Sequence, residues 1–215
     1  MKILALEFSS SQRSVAVLSS EEGVSEIIET APGNTMRPLT MVEEALKQAG
    51  LEREQIECMA IGLGPGSYTG IRVAIALAQG WQLARGVKLL GISSAKCIAT
   101  RAQMELTGKC CVVIDAQREE FYLASYQIST TEACELQSLK LVMLSEVRER
   151  ERAGEILIGP EVTRWFPHGR TVFPRAAMLG RLALGRSDFV AGENLEPLYL
   201  RETKFVKSPP ARIVP

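Results

Sequence analysis

The same order of segments occurs twice along this chain, and that repetition narrows the fold more than any single residue does. Residues 3–8 form an apolar run, residues 14–18 alternate, and residues 23–30 follow a Glu21-Glu22-Gly23 turn; together these predict an antiparallel meander of three strands. The period then changes. Over residues 35–49, Leu39, Val42, Leu46 and Ala49 share one helical face, Arg37, Glu43, Glu44 and Lys47 share the opposite one, and Gly50 ends the helix. A strand at 59–63, a glycine-rich turn, a helix at 69–84, a short strand at 89–92 and a helix at 94–106 follow. The second half opens in the same way: strands at 110–114, 120–126 and 136–142, a helix at 145–152, a strand at 156–158 and a helix at 175–184. Three strands leading into helices, twice over, predict an α/β chain of the actin-like (ASKHA, ribonuclease-H-like) class with two duplicated lobes. The expected lobes are residues 1–106, joined by the returning segment 190–207, and residues 107–189, with a loose tail at 208–215.

Charge excludes one class of partner. Lys plus Arg number 25 and Asp plus Glu number 25, so no net field draws in nucleic acid, whose binding is dominated by phosphate neutralisation. The longest stretch without a charged residue, 58–71, is too short to cross a bilayer and contains Gly64-Pro65-Gly66, so no membrane span is expected. Cys58, Cys97, Cys110, Cys111 and Cys134 make an odd set without C-x-x-C spacing and are expected to be reduced and mostly buried in a cytoplasmic protein. The N-terminus starts directly on a strand-like segment, without the pattern of a secretory signal.

Three places offer chemistry. Gly64-Pro65-Gly66-Ser67-Tyr68-Thr69-Gly70-Ile71-Arg72 lies between a strand and a helix, where backbone N–H groups and the helix dipole can cradle an anion. A phosphate loop needs Lys where Ile71 stands, the dinucleotide spacing needs Gly where Thr69 stands, and a hydrolase elbow needs glycines where Pro65 and Thr69 flank Ser67. The plainer alternative is a tight turn capped by Ser67 or Thr69. Glu7 and Asp115 close the first strand of each half, the edge where ligands bind in open α/β sheets, and the pair could hold Mg²⁺ with a nucleotide. Alternatively they brace turns by accepting hydrogen bonds from Ser9, Ser10, Ser11 and Gln117. His168, the single histidine, leaves no material for a two-histidine metal site or a Ser-His or Cys-His pair.

The helix after the glycine turn is unusual. At about 100° per residue, Val73, Ala74, Leu77, Trp81 and Ala84 form a core face, while Arg72, Ile75, Ala76, Gln79, Gln82 and Leu83 lie opposite with one charge among them. A helix apolar nearly all round is either enclosed or meets another protein.

In order along the chain, Met1-Lys2-Ile3-Leu4-Ala5-Leu6, the glycine-turn motif with Ala78-Gln79-Gly80, Gly91-Ile92-Ser93-Ser94, Ile114-Asp115-Ala116-Gln117 with Tyr122, and Glu196-Pro197-Leu198-Tyr199-Leu200-Arg201 resemble the bacterial TsaB (YeaZ) family. That resemblance implies an actin-like two-lobe fold. It also implies a subunit that acts with the paralogous TsaD and the ATPase TsaE in making N6-threonylcarbamoyladenosine at position 37 of tRNA. The family member is itself non-catalytic and needs no cofactor. TsaD carries metal-binding histidines in an H-x-x-x-H arrangement on the helix that corresponds to residues 35–49, and this chain has none there. Many relatives have Asp where Glu7 stands, His where Asn34 stands, and Arg-Gly-Glu where this chain continues Gln117-Arg118-Glu119-Glu120.

The resemblance and the outer helix face together place Thr40, Met41 and Glu44 of the first helix and Arg72, Ile75, Ala76, Gln79 and Leu83 of the second in a partner interface. The expected partners are a TsaD-like paralogue and a TsaE-like ATPase, with tRNA reached only through the complex, no membrane, and a homodimer open to the free chain. The competing expectation is an actin-like ATPase or kinase using Glu7 and Asp115 for Mg-nucleotide.

Overall fold

A computed structural model describes residues 1–19, 23–30 and 37–200. The Glu21-Glu22 turn, Asn34, the helix start at residue 35, Arg201 and the tail at 208–215 lie outside the described residues. The first half contains β1 (Ile3–Glu7), β2 (Gln12–Ser19), β3 (Gly23–Thr30), α1 (Pro38–Gln48), β4 (Cys58–Gly62), α2 (Tyr68–Arg85) and β5 (Lys88–Ile92). β1, β2 and β3 run antiparallel while β1, β4 and β5 run parallel, in the order β3-β2-β1-β4-β5.

After α3 (Ser94–Ala102) come β6 (Gly108–Asp115), β7 (Glu120–Ile128), β8 (Ala133–Met143), α4 (Leu144–Arg152), β9 (Ile156–Gly159), β10 (Arg170–Thr171) and α5 (Ala176–Ala183). Their sheet, β10-β9-β6-β7-β8, repeats the first strand for strand, with β6 in the place of β1. The repeated order is that of the actin-like class. No helix among the described residues is long and apolar enough to cross a membrane.

Both faces of the first sheet are covered, which explains why β2 buries six residues in a row where an alternating pattern was expected. Leu4, Leu6, Val15, Val17, Met59 and Ile61 meet Met41, Val42, Ala45 and Leu46 of α1 and Ile71, Ala74, Ile75 and Ala78 of α2. Ile3, Ala5, Ala16, Leu18, Cys58 and Ala60 meet Ala176, Leu179 and Ala183 of α5. α3, by contrast, follows the first sheet in sequence but packs Ala95, Ile98, Ala99 and Ala102 on Cys110, Val112 and Ile114 of the second. Each half thus lends a helix to the sheet of the other.

α5 is fixed by polar contacts at its start. Ser14 Oγ accepts from the Ala176 N–H at 2.8 Å, Glu26 Oε1 accepts from the Ala177 N–H at 3.0 Å, and Arg175 grips the same Glu26 carboxylate at 3.2 and 2.7 Å. Gly180 lets α5 come close, since a Cβ there would lie 2.0 Å from Leu18 Cδ1.

Two helix faces differ from the sequence expectation. On α1, Leu39 is 61% exposed whereas Met41, offered as an interface residue, is fully buried. On α2 the buried residues are Gly70, Ile71, Ala74, Ile75 and Ala78; Val73, Leu77 and Trp81 are only partly covered and Ala84 is exposed. Ile75, at 6% exposure, therefore belongs to the core of its own chain. Positions 71, 74, 75 and 78 make an i, i+3, i+4, i+7 stripe against the sheet, one of several that a helix apolar nearly all round offers. A strap over residues 189–200 returns to the first sheet and takes up part of the α2 surface. Val190 N–H donates to Leu89 O at 3.0 Å on the edge strand β5, Leu195 enters the core, and Leu198 N–H donates to Leu63 O at 2.9 Å.

Candidate functional site: the cleft and the helix face beside it

The glycine turn is built by close backbone approach. A Cβ on Gly66 would lie 2.1 Å from Ser9 O, and one on Gly70 would lie 1.9 Å from Phe8 O, so both positions exclude a side chain. Ser67 caps α2, its Oγ accepting from the Gly70 N–H at 3.3 Å. Several of the turn's backbone donors are engaged within the chain. Gly64 N–H donates to Ser94 Oγ at 3.2 Å, Ser67 N–H to Ser9 O at 2.7 Å, and Ile71 N–H to Ser67 O at 3.0 Å.

Between the two halves lies a cleft of about 1480 Å³. Ser9, Ser10, Ser11, Ser67 and Thr69 line one wall; Asp115, Gln117, Arg118, Tyr122, Glu161 and Arg164 line the other; Tyr199 and Leu200 stand at its mouth. Tyr199 stacks on Tyr68 with ring centroids 5.3 Å apart, and the Arg72 guanidinium lies 4.6 Å above the Tyr68 ring.

Glu7 and Asp115 do not share this cleft. Glu7 is fully buried and accepts from the Ser9 N–H and the Ser94 hydroxyl, each at 2.8 Å. It lies hard against β4, for a Cβ on Gly62 would come within 2.2 Å of its carboxylate. Asp115 does line the cleft, yet its Oδ1 accepts from the Gln117 N–H at 2.6 Å and its Oδ2 from Trp165 Nε1 at 3.3 Å. It thereby braces a turn in which Gln117, Arg118 and Glu119 have φ of 63°, 59° and 60°, three successive left-handed residues without a glycine. Both carboxylates act as the turn braces that the sequence offered as the alternative to a metal pair. Among the described residues no group of three or more His, Cys, Asp or Glu could hold a metal ion. Cys134 is exposed and the other four cysteines are buried; burial pushes Cys110 up to about 12 and Cys58 up to about 11.

Burial also raises the Glu7 carboxyl above its ordinary 4.5, against the lowering effect of its bonds to Ser9 and Ser94. A raised folded pKa means that the folded chain holds the proton more tightly than the unfolded one, so the stability linked to Glu7 declines as pH rises from that value through the folded pKa. Glu7→Gln is accordingly expected to melt higher than the parent near neutral and alkaline pH, with the gap closing toward acid. Thermal melts across that range check this, and a gap independent of pH counts against it.

The second feature is the outward surface of α1 and α2, which both cover one face of the first sheet. Leu83 is 89% exposed, and Leu39, Arg72, Ala76, Gly80 and Glu44 are exposed with it; Thr40 and Val73 are half-buried. Of the residues assigned to an interface, Ile75 and Met41 are withdrawn into the core. Gln79 is committed within the chain, its Nε2 donating to Gly192 O at 2.8 Å. Sequence reasoning missed Gly80, where a Cβ would meet nothing within 4 Å, and the cleft residues Glu161 and Arg164.

A twice-repeated five-stranded unit, a cleft between the copies and a glycine turn with Ile71 where a phosphate loop has Lys define an actin-like protein without that loop. Residues 35–179 match the family model described as TsaD: tRNA N6-adenosine threonylcarbamoyltransferase. The chain is 29% identical to the tRNA threonylcarbamoyladenosine biosynthesis protein TsaB of Escherichia coli over 99% of its own length and 100% of that protein's. A Haemophilus influenzae protein of the same description is 32% identical over 58% of this chain and 53% of its own. Among solved structures, YeaZ from Pseudomonas aeruginosa superposes with a TM-score of 0.77 at 27% identity, covering 93% of this chain and 99% of that one. An uncharacterized Pseudomonas aeruginosa protein with similarity to peptidase YEAZ gives 0.79 at 28% identity, with the same coverage. The chain belongs to the TsaB (YeaZ) family of tRNA threonylcarbamoyladenosine biosynthesis proteins.

Proposed function

We propose that this chain is the non-catalytic, activating subunit that docks a TsaD-like paralogue through the outward face of α1 and α2, and so supports threonylcarbamoyl transfer to tRNA adenosine in the cytoplasm. The observation that carries the reading is the apolar, small-residue strip of Ala76, Gly80 and Leu83 on α2, left uncovered by its own chain, with Leu39 likewise exposed on α1. Small residues let a partner helix approach closely, and an isolated Leu83 gains most from being covered. A TsaE-like ATPase completes the complex, and tRNA is reached through it, since the balanced charge supplies no independent grip. The same face is open to a second copy when the chain is free.

Ala76→Arg and Leu83→Glu test this. Each places a charge in a contact that becomes desolvated on docking, so affinity for the TsaD-like subunit is expected to fall at least about thirtyfold. Because both positions face solvent in the free chain, stability should stay within about 0.5 kcal/mol of the parent. Titration calorimetry alongside thermal melts reads both quantities; parental affinity in both variants refutes the docking face.

A further inference from the structure

Beyond Ala78, α2 has no fully buried residue; Trp81 is its partly buried anchor there. The outer side of this half is held by the strap. Gln79 Nε2 donates to Gly192 O at 2.8 Å, and one turn on, Gln82 Oε1 accepts from the Gly192 N–H at 2.6 Å. Both backbone groups of one buried glycine are thus taken by two side chains of the same helix. The fit leaves little space, since a Cβ on Gly192 would lie 3.0 Å from Gln82 Oε1 and 3.1 Å from Gln79 Cγ. The strap in turn is tied at Leu89 on one side of this grip and at Leu63 and Tyr68 on the other.

We infer that Gln79 and Gln82 are positioning residues that, by gripping Gly192, hold the second half of α2 in the pose a docked partner reads. This rests on the docking face proposed above. Gly80 and Leu83 share that half-helix with the two glutamines, so releasing the grip leaves this part of the strip held only by Trp81 and by the buried ends at Ala78 and Val87. A partner that needs one pose then binds more weakly, in proportion to the fraction of chains that hold it. By linkage the partner must also favour the gripped state.

The chemistry of the two bonds gives a test that mere space-filling would not pass. Both Gln82 variants give up the long bond from Gln82 Nε2 to Val87 O at 3.4 Å, but Gln82→Glu keeps an acceptor for the Gly192 N–H whereas Gln82→Met removes it at similar volume; Gln79→Glu removes the donor to Gly192 O. Gln82→Met and Gln79→Glu are expected to bind the TsaD-like subunit about fivefold more weakly, and Gln82→Glu to bind as the parent does. In the parent, adding the partner should slow hydrogen exchange at the Gly192 amide. Parental affinity in Gln82→Met and Gln79→Glu, equal losses in Gln82→Met and Gln82→Glu, or Gly192 exchange indifferent to the partner each overturns the inference. Ala76→Arg and Leu83→Glu run in parallel separate the two failures. If they lose affinity while the glutamine variants do not, only the grip is wrong; if they too bind normally, the docking reading falls and the grip falls with it.

Discussion

Ile75→Glu is expected to cost about 4 kcal/mol or more of folding stability, which leaves a marginally stable chain largely unfolded before any partner is present. The reason is its surroundings: Ile75 is buried in the cluster that joins α2 to Leu4, Leu6, Met59 and Ile61, where a carboxylate loses its water. Its neighbour Ala76 faces solvent, so Ala76→Arg leaves the fold intact. Denaturant unfolding of the two variants decides the assignment of the helix face. An Ile75→Glu midpoint matching the parent's would place that residue outward after all.

The other large effect pairs two glycines of one helix. Gly70→Ala gains helix propensity worth about 1 kcal/mol. The new methyl, however, would sit 1.9 Å from Phe8 O, a backbone atom that has no rotamer by which to escape. The clash wins, and the net loss should be about 2–4 kcal/mol as the loop after β1 is forced off the α2 N-terminus. Gly80→Ala meets nothing within 4 Å and should stabilise the isolated chain by about 0.5–1 kcal/mol. The same substitution ten residues further along thus has opposite signs, and equal shifts in the two melting temperatures would contradict the account.

Much of the architecture was legible because each strand is a short apolar run closed by turn residues and each helix changes the period. The doubled meander of β1–β2–β3 and β6–β7–β8 is in the residues themselves. What failed were helix faces, because a hydrophobic pattern reports which residues are apolar, not which sheet or strap will cover them. Leu39 fits the α1 stripe yet points outward, and Ile75 breaks the α2 stripe yet is buried. β10, two residues at Arg170–Thr171, is too short to carry a pattern. The cap that Glu26 gives to Ala177 joins positions 151 apart, beyond any local signal. At the cleft, Glu7 and Asp115 were visible as strand-end carboxylates, and both of their roles could be written down; only the bonds to Ser9, Ser94, Gln117 and Trp165 choose between them.

The exchange of α3 and α5 between the sheets also governs how the chain completes itself during synthesis. Ile3, Ala5, Ala16, Leu18, Cys58 and Ala60 have emerged early, but their principal cover is α5, Ala176–Ala183. The nascent first sheet must therefore wait, with one apolar face open, until the second sheet and α5 have left the ribosome. Contacts this distant in sequence slow folding and prolong exposure of such a face. A fragment ended before β6 would carry five paired strands and still be a substrate for chaperones, because the helix that seals it follows the whole of the second sheet in sequence.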